Sequence, residues 1–315
     1  MMREAFGQRW ARALGRDRWQ TQAPLAALTT FNVGGRADWL ADIRSVDELQ
    51  ALLADASAAA VPVTILGGGS NVLVADDGVR GVVIRLKLTD VDQPEPLVVR
   101  AGAGVTINGL VRWTVGRGLA GLEAWAGTPG TVGGAIYGNA HWHGANIGDR
   151  VRGVTLVTRT GAIADVPRDE MGFAYDTSRL QQSGEVVVSA SFHVSAGDVA
   201  ALRERARESL HYRKATQPLA LPSAGCVFQN PAPDERLPEG MPRSAGALVD
   251  RAGLKGVRQG GAMISDRHAN FVVNDNDASA DDIRMLIERA RTAVRERFGI
   301  ELRDEIVYLG TFRHG

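Results

Sequence analysis

The chain has 315 residues, and its 36 Lys and Arg residues balance its 36 Asp and Glu residues, so the formal net charge at pH 7 is zero. This balance predicts no nucleic-acid or membrane-surface partner, since both attract an excess of basic residues. The length exceeds one comfortable hydrophobic core and predicts two or three domains. The sequence shows no apolar run near the roughly 18 residues of a spanning helix and no apolar signal-peptide core. We therefore expect a cytoplasmic protein.

Cysteine and glycine usage narrows the class of protein further. Cys226 is the single cysteine, which excludes a disulfide framework or a thiolate zinc site within one chain. The 37 glycines exceed ordinary usage of about 7%. They cluster rather than forming a low-complexity linker, and the clusters lie at 67–69, 102–109, 116–121, 127–134, 225 and 253–261. Such clustering indicates repeated close approach of the backbone to another group.

The first part of the chain predicts a helix, a strand and a second helix. Residues 1–20 have helical spacing of large apolar side chains, and the run after Gly34-Gly35 is strand-like. Ser45 and Glu48 have the spacing of a capping box at the start of the next helix. One face of that helix is apolar and comprises Leu49, Leu52, Leu53 and Ala56.

A strand over 63–66 then ends in consecutive glycines, and the segment that follows comprises Gly67, Gly68, Gly69, Ser70 and Asn71. A strand breaks into glycines where φ must be positive or where a ligand approaches too closely for a Cβ atom. Two interpretations stay open for this stretch alone, a tight turn between strands or a phosphate-binding loop. A Rossmann loop is excluded because the helix precedes the glycines, and a Walker A loop is excluded because no Gly-Lys-Ser/Thr follows.

A second glycine-rich segment, 127–140, has the sequence GTPGTVGGAIYGNA. Pro129-Gly130 is a turn signature, and Gly133-Gly134 opens a small-residue run that predicts a helix with N–H groups facing an anion. Alone, this segment is equally compatible with a structural turn. Two such segments without a catalytic lysine favour one extended, phosphate-containing cofactor.

Two histidines, His141 and His143, follow the second glycine-rich segment. A His-x-His pair is more often solvent-facing or hydrogen-bonded than metal-binding, since closed metal sites need more nitrogen or sulfur ligands. We therefore predict no metal site here.

The remainder of the chain predicts a strand-rich segment and then a separate small α+β domain. Residues 151–167 predict a hairpin that turns at Thr160-Gly161, and 186–194 predict a strand. The arginine-rich helix expected over 198–213 is interpreted as a solvated amphipathic face. The C-terminal domain begins near Pro218, where prolines become frequent. Its last helix has a strongly periodic apolar face of Ile283, Leu286, Ile287, Ala290, Val294 and Phe298.

Five motifs follow one another along the chain: ILGGGSNVLVADDGVRGVVI, GTPGTVGGAIYGNA, PSAGCVFQNP, GGAMISDRHANFVVN and ELRDEIVYLG. In this order they resemble the UDP-N-acetylenolpyruvoylglucosamine reductase family, from about Thr29 to Leu309. The family contains the flavin enzyme that makes UDP-N-acetylmuramate for bacterial peptidoglycan, which implies roles in cell wall biogenesis, cell shape and cell division. The chain resembles the shorter family type because no extra tyrosine-bearing insertion is visible.

The resemblance implies an α+β fold. A two-part FAD-binding region of the vanillyl-alcohol-oxidase type would occupy 1–88 and 89–214, and a C-terminal α+β substrate domain would occupy 215–315. Both glycine segments would hold non-covalent FAD, and NADPH would be the co-substrate. The implied FAD contacts are Gly67, Gly68, Gly69, Ser70, Asn71, Pro129, Gly130, Thr131, Gly133, Gly134 and Asn139. The implied partner is a nucleotide sugar, and we expect a monomer.

The implied chemistry assigns a role to Cys226. NADPH reduces the flavin, hydride passes to the β-carbon of the enolpyruvyl group, and the resulting α-carbanion is protonated. Cys226 occupies the proton-donor position in the family's S-A-G-S/C motif, and a thiol with a pKa of about 8.5 is mostly protonated at neutral pH. A free cysteine outside this motif would instead be interpreted as a buried structural residue.

Two further positions are carried over from the family. Glu305 matches the glutamate of the final L-x-x-E motif and would act beside the enolate, although a lone glutamate there would ordinarily be a surface residue. The family's Tyr-Arg-x-Ser motif departs here, because Asp176 stands at the arginine position and would repel an enolate. We hypothesise that Arg179 replaces that arginine if the segment is helical, since residues i and i+3 share a helix face.

Two alternatives to the reductase stay open. Asp176 is the main support for an FAD-dependent oxidase or dehydrogenase of the same fold that acts on another alcohol or sugar, while Cys226 and Glu305 argue against it. A non-catalytic flavin-binding or nucleotide-sugar-binding protein is disfavoured because both glycine segments and the candidate acid are retained.

Overall fold

The structure, a computed structural model, describes residues 2–142 and 144–312. The chain divides into two compact units. Unit 1 comprises Met1–Ala23, Asp38–Gly68 and Gly81–Arg213, and unit 2 comprises Pro24–Ala37, Gly69–Arg80 and Lys214–Gly315. Unit 2 therefore combines the C-terminal third of the chain with two short segments from its N-terminal part.

Helices and strands follow one another irregularly along the chain, which is typical of the α+β class. The helices are α1 (Met2–Leu14), α2 (Val46–Ala58), α3 (Ile107–Val115), α4 (Val132–Tyr137), α5 (Leu180–Ser183), α6 (Val199–Thr216), α7 (Ala245–Arg251) and α8 (Ala280–Phe298). The strands are β1 (Trp19–Pro24), β2 (Arg36–Ile43), β3 (Val63–Ile65), β4 (Val72–Val74), β5 (Val79–Leu86), β6 (Val91–Glu95), β7 (Val98–Gly102), β8 (Leu119–Ala120), β9 (His141–Trp142), β10 (Ala145–Asn146), β11 (Val151–Val157), β12 (Ile163–Pro167), β13 (Val186–His193), β14 (Ser195–Ala196), β15 (Arg258–Gln259), β16 (Ala262–Ile264), β17 (Val272–Asn274) and β18 (Val307–Leu309).

The first half of unit 1 is built on a four-stranded sheet with the order β1-β2-β5-β3, in which β3 runs parallel to β5. Helix α2 begins where Ser45 Oγ accepts a hydrogen bond from Glu48 N at 3.2 Å. The reciprocal half of the predicted capping box is absent at this helix, because Glu48 Oε2 accepts from Arg44 N at 2.9 Å. The apolar face of α2 packs in a core with α1, and its buried residues are Leu49, Leu52 and Ala56.

The second half of unit 1 is a five-stranded sheet with the order β12-β11-β13-β7-β6. All its neighbouring strands are antiparallel, and the predicted hairpin over 151–167 forms β11 and β12. Helices α3 and α4 contribute Leu110, Val111, Val132 and Ile136 to the core of this sheet, and all four side chains are buried. This core positions α4, the helix that follows the second glycine segment.

Unit 2 contains the antiparallel sheet β15-β16-β17 and the parallel pair β18-β4. Helix α8 begins with a complete capping box, because Ser279 Oγ accepts from Asp282 N and Asp282 Oδ2 accepts from Ser279 N, each at 3.0 Å. The buried apolar face of α8 follows the predicted periodicity and comprises Ala280, Ile283, Leu286, Ile287, Ala290 and Val294, whereas Phe298, also predicted on this face, is only partly buried. Phe31, Val33 and Leu73 join the core formed by α7 and α8.

Helix α6 departs in one respect from the solvated face that the sequence predicts. Arg213 is only 6% exposed, and its guanidinium lies over the Trp142 ring at 3.4 Å from the centroid. Arg213 Nη2 also donates to Thr128 Oγ1 at 2.7 Å. The aromatic face compensates the loss of hydration, and a helix-surface pattern does not show which long side chain folds inward.

Among the described residues, no helix is both long and apolar enough to cross a membrane. The predicted domain boundaries at 88 and 214 stay predictions. The two N-terminal segments of unit 2 pack with residues far away in sequence, and no local pattern encodes such an assignment.

Candidate active site

The two glycine segments approach each other within unit 1. A Cβ atom on Gly68 would lie 2.6 Å from Gly130 Cα, and one on Gly67 would lie 2.8 Å from Thr131 Oγ1. Gly67 and Gly68 are exposed on the structure, so this backbone contact reaches the surface of unit 1. The sequence did not predict the direct contact. Larger side chains would keep the two segments apart, and close approach of this kind is one reason for glycine in a cofactor loop. We call this paired surface of the two segments the cradle.

The rest of the first glycine segment belongs to unit 2. Gly69 has φ +63, and a Cβ atom there would lie 2.0 Å from Leu28 O. Asn71 Nδ2 donates to Glu305 O at 3.0 Å. Both residues therefore have a structural reason for their identity, independent of a cofactor. The predicted FAD contacts at Gly69, Ser70 and Asn71 stay predictions.

The second glycine segment opens α4 as predicted, with Thr131 at the N-cap and its Oγ1 accepting from Gly134 N at 3.4 Å. The N–H groups at the start of α4 were expected to face an anion, but they bond to other protein groups. Val132 N donates to Val105 O at 2.8 Å, and Gly133 N donates to Ala103 O at 2.9 Å. Since these N–H groups are bonded within the protein, the expectation that Gly133 and Gly134 present free donors to an anion is corrected.

Asn139, at the end of the second glycine segment, is buried and bonds to two other backbone segments. Its side chain is 2% exposed and its φ is +46. Asn139 Nδ2 donates to Ala174 O at 2.7 Å, and Asn139 Oδ1 accepts from Gly148 N at 2.9 Å. The amide thus fixes the segment that contains Asp176 beside the end of α4. Its predicted contact with FAD stays a prediction.

The segment around Asp176 is a tight turn and not a helix. Ala174 and Thr177 exchange two backbone hydrogen bonds of 3.1 Å, and Asp176 has φ +52. Ser178 Oγ donates to Tyr137 O at 2.7 Å, which ties the turn to the last residue of α4. The helical condition under which Arg179 would share a face with Asp176 is therefore not met.

The Arg179 guanidinium forms an ion pair with Glu185. Its Nε and Nη2 donate to the two carboxylate oxygens of Glu185 at 2.9 and 2.6 Å. The hydrogen bond to Arg179 lowers the pKa of Glu185, and the same bond raises the pKa of Arg179. The catalytic role of Arg179 stays a prediction that this geometry does not support.

His141, which follows the second glycine segment, contacts the Asp176 turn. His141 Nδ1 lies 3.1 Å from Asp176 Oδ1, and the His141 ring lies 4.8 Å from the Tyr175 ring centroid. The Asp176 side chain is 10% exposed, whereas that of His141 is 27% exposed. The sequence placed both residues near functional segments but gave no signal that they pair. His143 lies outside the described residues.

Cys226 and Glu305 are brought together within unit 2 by neighbouring backbone segments. Glu305 N donates to Val227 O at 2.9 Å, and Gln229 N donates to Arg303 O at 2.9 Å. Cys226 directly precedes Val227 and is half-buried, as is Glu305. Cys226 and Glu305, predicted as proton donor and enolate partner, thus lie on neighbouring segments that are joined by backbone hydrogen bonds.

Asn270 supports this arrangement and was not singled out from the sequence. It is 3% exposed, its Oδ1 accepts from Phe228 N at 3.0 Å, and its Nδ2 donates to Phe228 O at 2.7 Å. Asn270 O also accepts from Val227 N at 2.8 Å. The residue falls within the motif GGAMISDRHANFVVN, and only its contacts separate it from its neighbours.

Comparisons with known proteins agree on one family. Residues 217–309 match the family model "UDP-N-acetylenolpyruvoylglucosamine reductase, C-terminal domain", and residues 37–166 match the model "FAD binding domain". The UDP-N-acetylenolpyruvoylglucosamine reductase 2 of Symbiobacterium thermophilum is 40% identical over 91% of this chain and 91% of its own length. The reductase of Heliobacterium modesticaldum is 40% identical over 94% of this chain and 92% of its own length.

A solved structure gives the same result. The crystal structure of the reductase from Thermus caldophilus superposes with a TM-score of 0.77 at 33% identity, and the match covers 93% of this chain and 98% of that one. The predicted α+β fold, with an FAD-binding region and a C-terminal domain, is confirmed. The chain therefore belongs to the UDP-N-acetylenolpyruvoylglucosamine reductase family, as its five ordered motifs predicted, and is an FAD-containing oxidoreductase.

Proposed function

We propose that this chain reduces UDP-N-acetyl-3-O-(1-carboxyvinyl)-glucosamine to UDP-N-acetylmuramate with FAD and NADPH, and that Cys226 supplies the proton. The observation that carries the residue assignment is the adjoining pair of segments that hold Cys226 and Glu305. An oxidase of the same fold is disfavoured because the C-terminal family model covers both residues.

The cradle is proposed to contact the FAD. Gly67, Gly68, Gly130 and Thr131 are the residues of unit 1 that would hold it, because a Cβ on Gly68 would push the two segments apart. When bound, FAD supplies the hydride-transfer chemistry between NADPH and the substrate double bond. Pro129, Gly133 and Gly134 are proposed to shape this cradle rather than to donate hydrogen bonds.

Cys226 is proposed to act as the general acid. Hydride addition at the β-carbon leaves negative charge on the α-carbon and the carboxylate, and a positioned acid must protonate that carbon. A thiol with a reference pKa of about 8.5 holds its proton at neutral pH. The adjoining backbone bond from Glu305 N to Val227 O keeps the thiol segment in register with the Glu305 segment.

Glu305 is proposed to act beside the same reacting carbon. Its backbone is held on both sides, since Glu305 N donates to Val227 O and Glu305 O accepts from Asn71 Nδ2. These bonds fix the main chain from which the carboxyl group extends. A protonated carboxyl donates a hydrogen bond to an enolate, whereas an ionised one only accepts.

The decisive experiment measures the absorbance of the bound flavin as NADPH and then the enolpyruvyl nucleotide are added. The purified holoenzyme should show flavin absorbance, lose it when NADPH is added without oxygen, and regain it on addition of the enolpyruvyl nucleotide. A flavin that NADPH bleaches but the nucleotide never reoxidises would contradict the proposed substrate. A protein that takes up no FAD would contradict the whole proposal.

Arg179→Ala tests the remaining catalytic prediction from the sequence. Because the guanidinium is paired with Glu185, we expect nucleotide-dependent reoxidation to change by less than about threefold, a small change in activation free energy. Stopped-flow absorbance at the flavin maximum measures it. A loss of 100-fold or more would show that Arg179 leaves Glu185 and reaches the substrate.

We further propose that the enzyme works as a monomer in the cytoplasm and contributes to cell wall biogenesis, cell shape and cell division. The support is the balanced charge and the single cysteine of the sequence, together with a product class that belongs to peptidoglycan synthesis.

A further inference from the structure

We infer that Arg291 of α8 is a positioning residue for Glu305, and that it acts in the step in which the nucleotide reoxidises the flavin. This inference rests on the proposed function, because it takes Glu305 to act beside the reacting carbon. Arg291, Glu305 and Cys226 all belong to unit 2. Its basis is one guanidinium that contacts both the segment of Glu305 and the segment of Cys226.

Arg291 holds the residues that precede Glu305 in the chain. Its Nε donates to Leu302 O at 3.2 Å, and its Nη2 donates to Asp304 Oδ1 at 2.5 Å. Both donors belong to one planar, rigid guanidinium, so the directions of the two bonds are linked. The main chain at Leu302 and the side chain of Asp304 are therefore fixed together relative to α8.

Arg291 also contacts the segment of the predicted proton donor. Its Cζ lies 5.9 Å from the centroid of the Phe228 ring, within the range of a cation–π contact. Phe228 is 1% exposed and pairs with Asp304 in an isolated antiparallel bridge. Since Phe228 lies two residues after Cys226, the guanidinium packs where the Cys226 segment and the Glu305 segment meet.

Helix α8 gives Arg291 a fixed base. The helix begins with a complete capping box, and Asp76 adds a second cap, because its Oδ1 accepts from Ala280 N at 2.9 Å and its Oδ2 from Asp281 N at 3.0 Å. The apolar face of α8 lies in the core of unit 2. Helices hold functional groups more precisely than loops do, so Arg291 can confer this precision on the irregular segment before Glu305.

A second arginine and a glutamate complete a charged row on the same face of α8. Glu288 lies between the two arginines, with Oε1 at 2.7 Å from Arg284 Nη2 and Oε2 accepting from Arg291 Nη1 at 2.5 Å. Arg284 Nη1 also lies 3.7 Å from Asp304 Oδ2. The two arginine side chains are only 16% and 17% exposed. Replacing a desolvated ion pair with apolar residues often leaves stability unchanged or raises it, so orientation of Asp304 explains this row better than stability does.

Orientation matters at Glu305 because its carboxyl group must meet one carbon of the substrate. Glu305 N donates to Val227 O and Glu305 O accepts from Asn71 Nδ2, while Arg291 fixes the residue before them. A displacement of about 1 Å in a reacting group can cost roughly 100-fold in rate. Loss of Arg291 should therefore slow the chemical step and leave the binding of FAD and nucleotide unchanged.

The test measures single-turnover reoxidation of the NADPH-reduced holoenzyme by the enolpyruvyl nucleotide without oxygen, with rates normalised to bound flavin. For Arg291→Gln we expect the maximal rate to fall roughly 10- to 100-fold, while the nucleotide concentration at half-maximal rate changes by less than about threefold. Flavin reduction by NADPH and the FAD dissociation constant should keep their wild-type values. Arg295→Gln is the matched control and should react at the wild-type rate, since Arg295 lies on the next turn of α8, is 56% exposed and pairs with Glu301 at 3.8 Å.

A double variant shows whether Arg291 acts through Glu305. Glu305→Gln alone should slow reoxidation, and adding Arg291→Gln should slow it by less than about twofold more, because a carboxyl group that is absent cannot be displaced. Effects that multiply would overturn the inference. Asp304→Asn provides a second route if Arg291→Gln does not fold, since it removes the charge that Arg291 binds and keeps the side-chain shape. It should slow reoxidation in the wild-type background and add nothing to Glu305→Gln.

Equal slowing of flavin reduction and reoxidation in Arg291→Gln would overturn the inference in favour of a structural role, and an unchanged reoxidation rate would overturn it outright. The proposed function fails differently, because then the wild-type protein itself would not reoxidise its reduced flavin with the enolpyruvyl nucleotide. A wild-type enzyme that turns over normally, with an Arg291→Gln variant that reoxidises equally fast, contradicts only the role of Arg291.

Discussion

Each of the two units has a buried asparagine that holds a loop, and the two asparagines do so in different ways. Asn139 in unit 1 binds Ala174 O and Gly148 N through its amide, so a side chain attaches the Asp176 turn to its neighbours, while two backbone bonds close the turn itself. Asn270 in unit 2 binds both backbone groups of Phe228, but main-chain bonds between neighbouring segments also hold that region. Asn139 and Asn270 are thus similarly buried, at 2% and 3% exposed, but of the two loops, as far as the described residues go, only the one near Asn270 is also held to a neighbouring segment by main-chain bonds.

The difference lies in the bonds that attach each region to its neighbours. Backbone bonds between neighbouring segments hold Val227 and Glu305 in register, next to Cys226. The Asp176 turn is attached by the Asn139 amide and the Ser178 hydroxyl, and His141 Nδ1 lies 3.1 Å from Asp176 Oδ1.

The largest effect should come from Cys226→Ala. Because main-chain bonds hold the segment, we expect normal flavin reduction by NADPH and an intact fold, with nucleotide-dependent reoxidation slower by roughly 10²–10⁴-fold. Anaerobic stopped-flow absorbance separates the two steps. Cys226→Ser is the matched variant, since a hydroxyl retains a proton. An unchanged reoxidation rate in Cys226→Ala would show that the thiol is only structural.

Asn139→Ala should destabilise the protein by about 2–5 kcal/mol, because Ala174 O and Gly148 N both lose a buried partner. Thermal unfolding followed by circular dichroism gives the comparison. Asn270→Ala removes two buried bonds to Phe228 from a region with main-chain support and should cost a similar amount. A loss below about 1 kcal/mol in either variant would contradict the role given to its amide.

Gly68→Ala should weaken FAD binding and cost about 1–3 kcal/mol of stability, because the new Cβ would lie 2.6 Å from Gly130 Cα. Fluorescence titration of the apoprotein with FAD measures the first effect. Gly138→Ala is the control, since its Cβ would meet nothing closer than 3.9 Å. Full FAD affinity in Gly68→Ala would contradict the cradle.

The smallest effect concerns the ion pair that holds Arg179 away from the turn. The Arg179 hydrogen bond lowers the pKa of Glu185 in the folded state, so its stabilisation is present above the unfolded pKa and is lost as pH falls through the folded pKa. Glu185→Gln should therefore lower the free energy of unfolding at pH 7 by less than about 1 kcal/mol, and the melting temperature with it. The decrease should be smaller below pH 4. A difference that grows in acid would contradict this assignment.

Local patterns predicted most elements of the fold. The apolar faces of α2 and α8, the hairpin of β11 and β12, and the helix opened by Thr131 all follow from spacing, caps and turn residues. These features depend on neighbours within a few positions, where side-chain period and capping chemistry decide the outcome. The half-formed cap at Glu48 escaped prediction because the nearby Arg44 N donates to the Glu48 carboxylate. The buried Arg213 escaped it because its partner Trp142 is far away in the sequence.

The sequence by itself determined the family, the two glycine segments and the positions of Cys226 and Glu305, because ordered motifs and residue identities are one-dimensional information. Only the tertiary structure showed that Gly68 meets Gly130, that Asn139 carries the Asp176 turn, and that His141 pairs with Asp176. The same structure bonded Arg179 to Glu185. Contacts between residues 30 or more positions apart depend on chain closure and packing, and no local period encodes them.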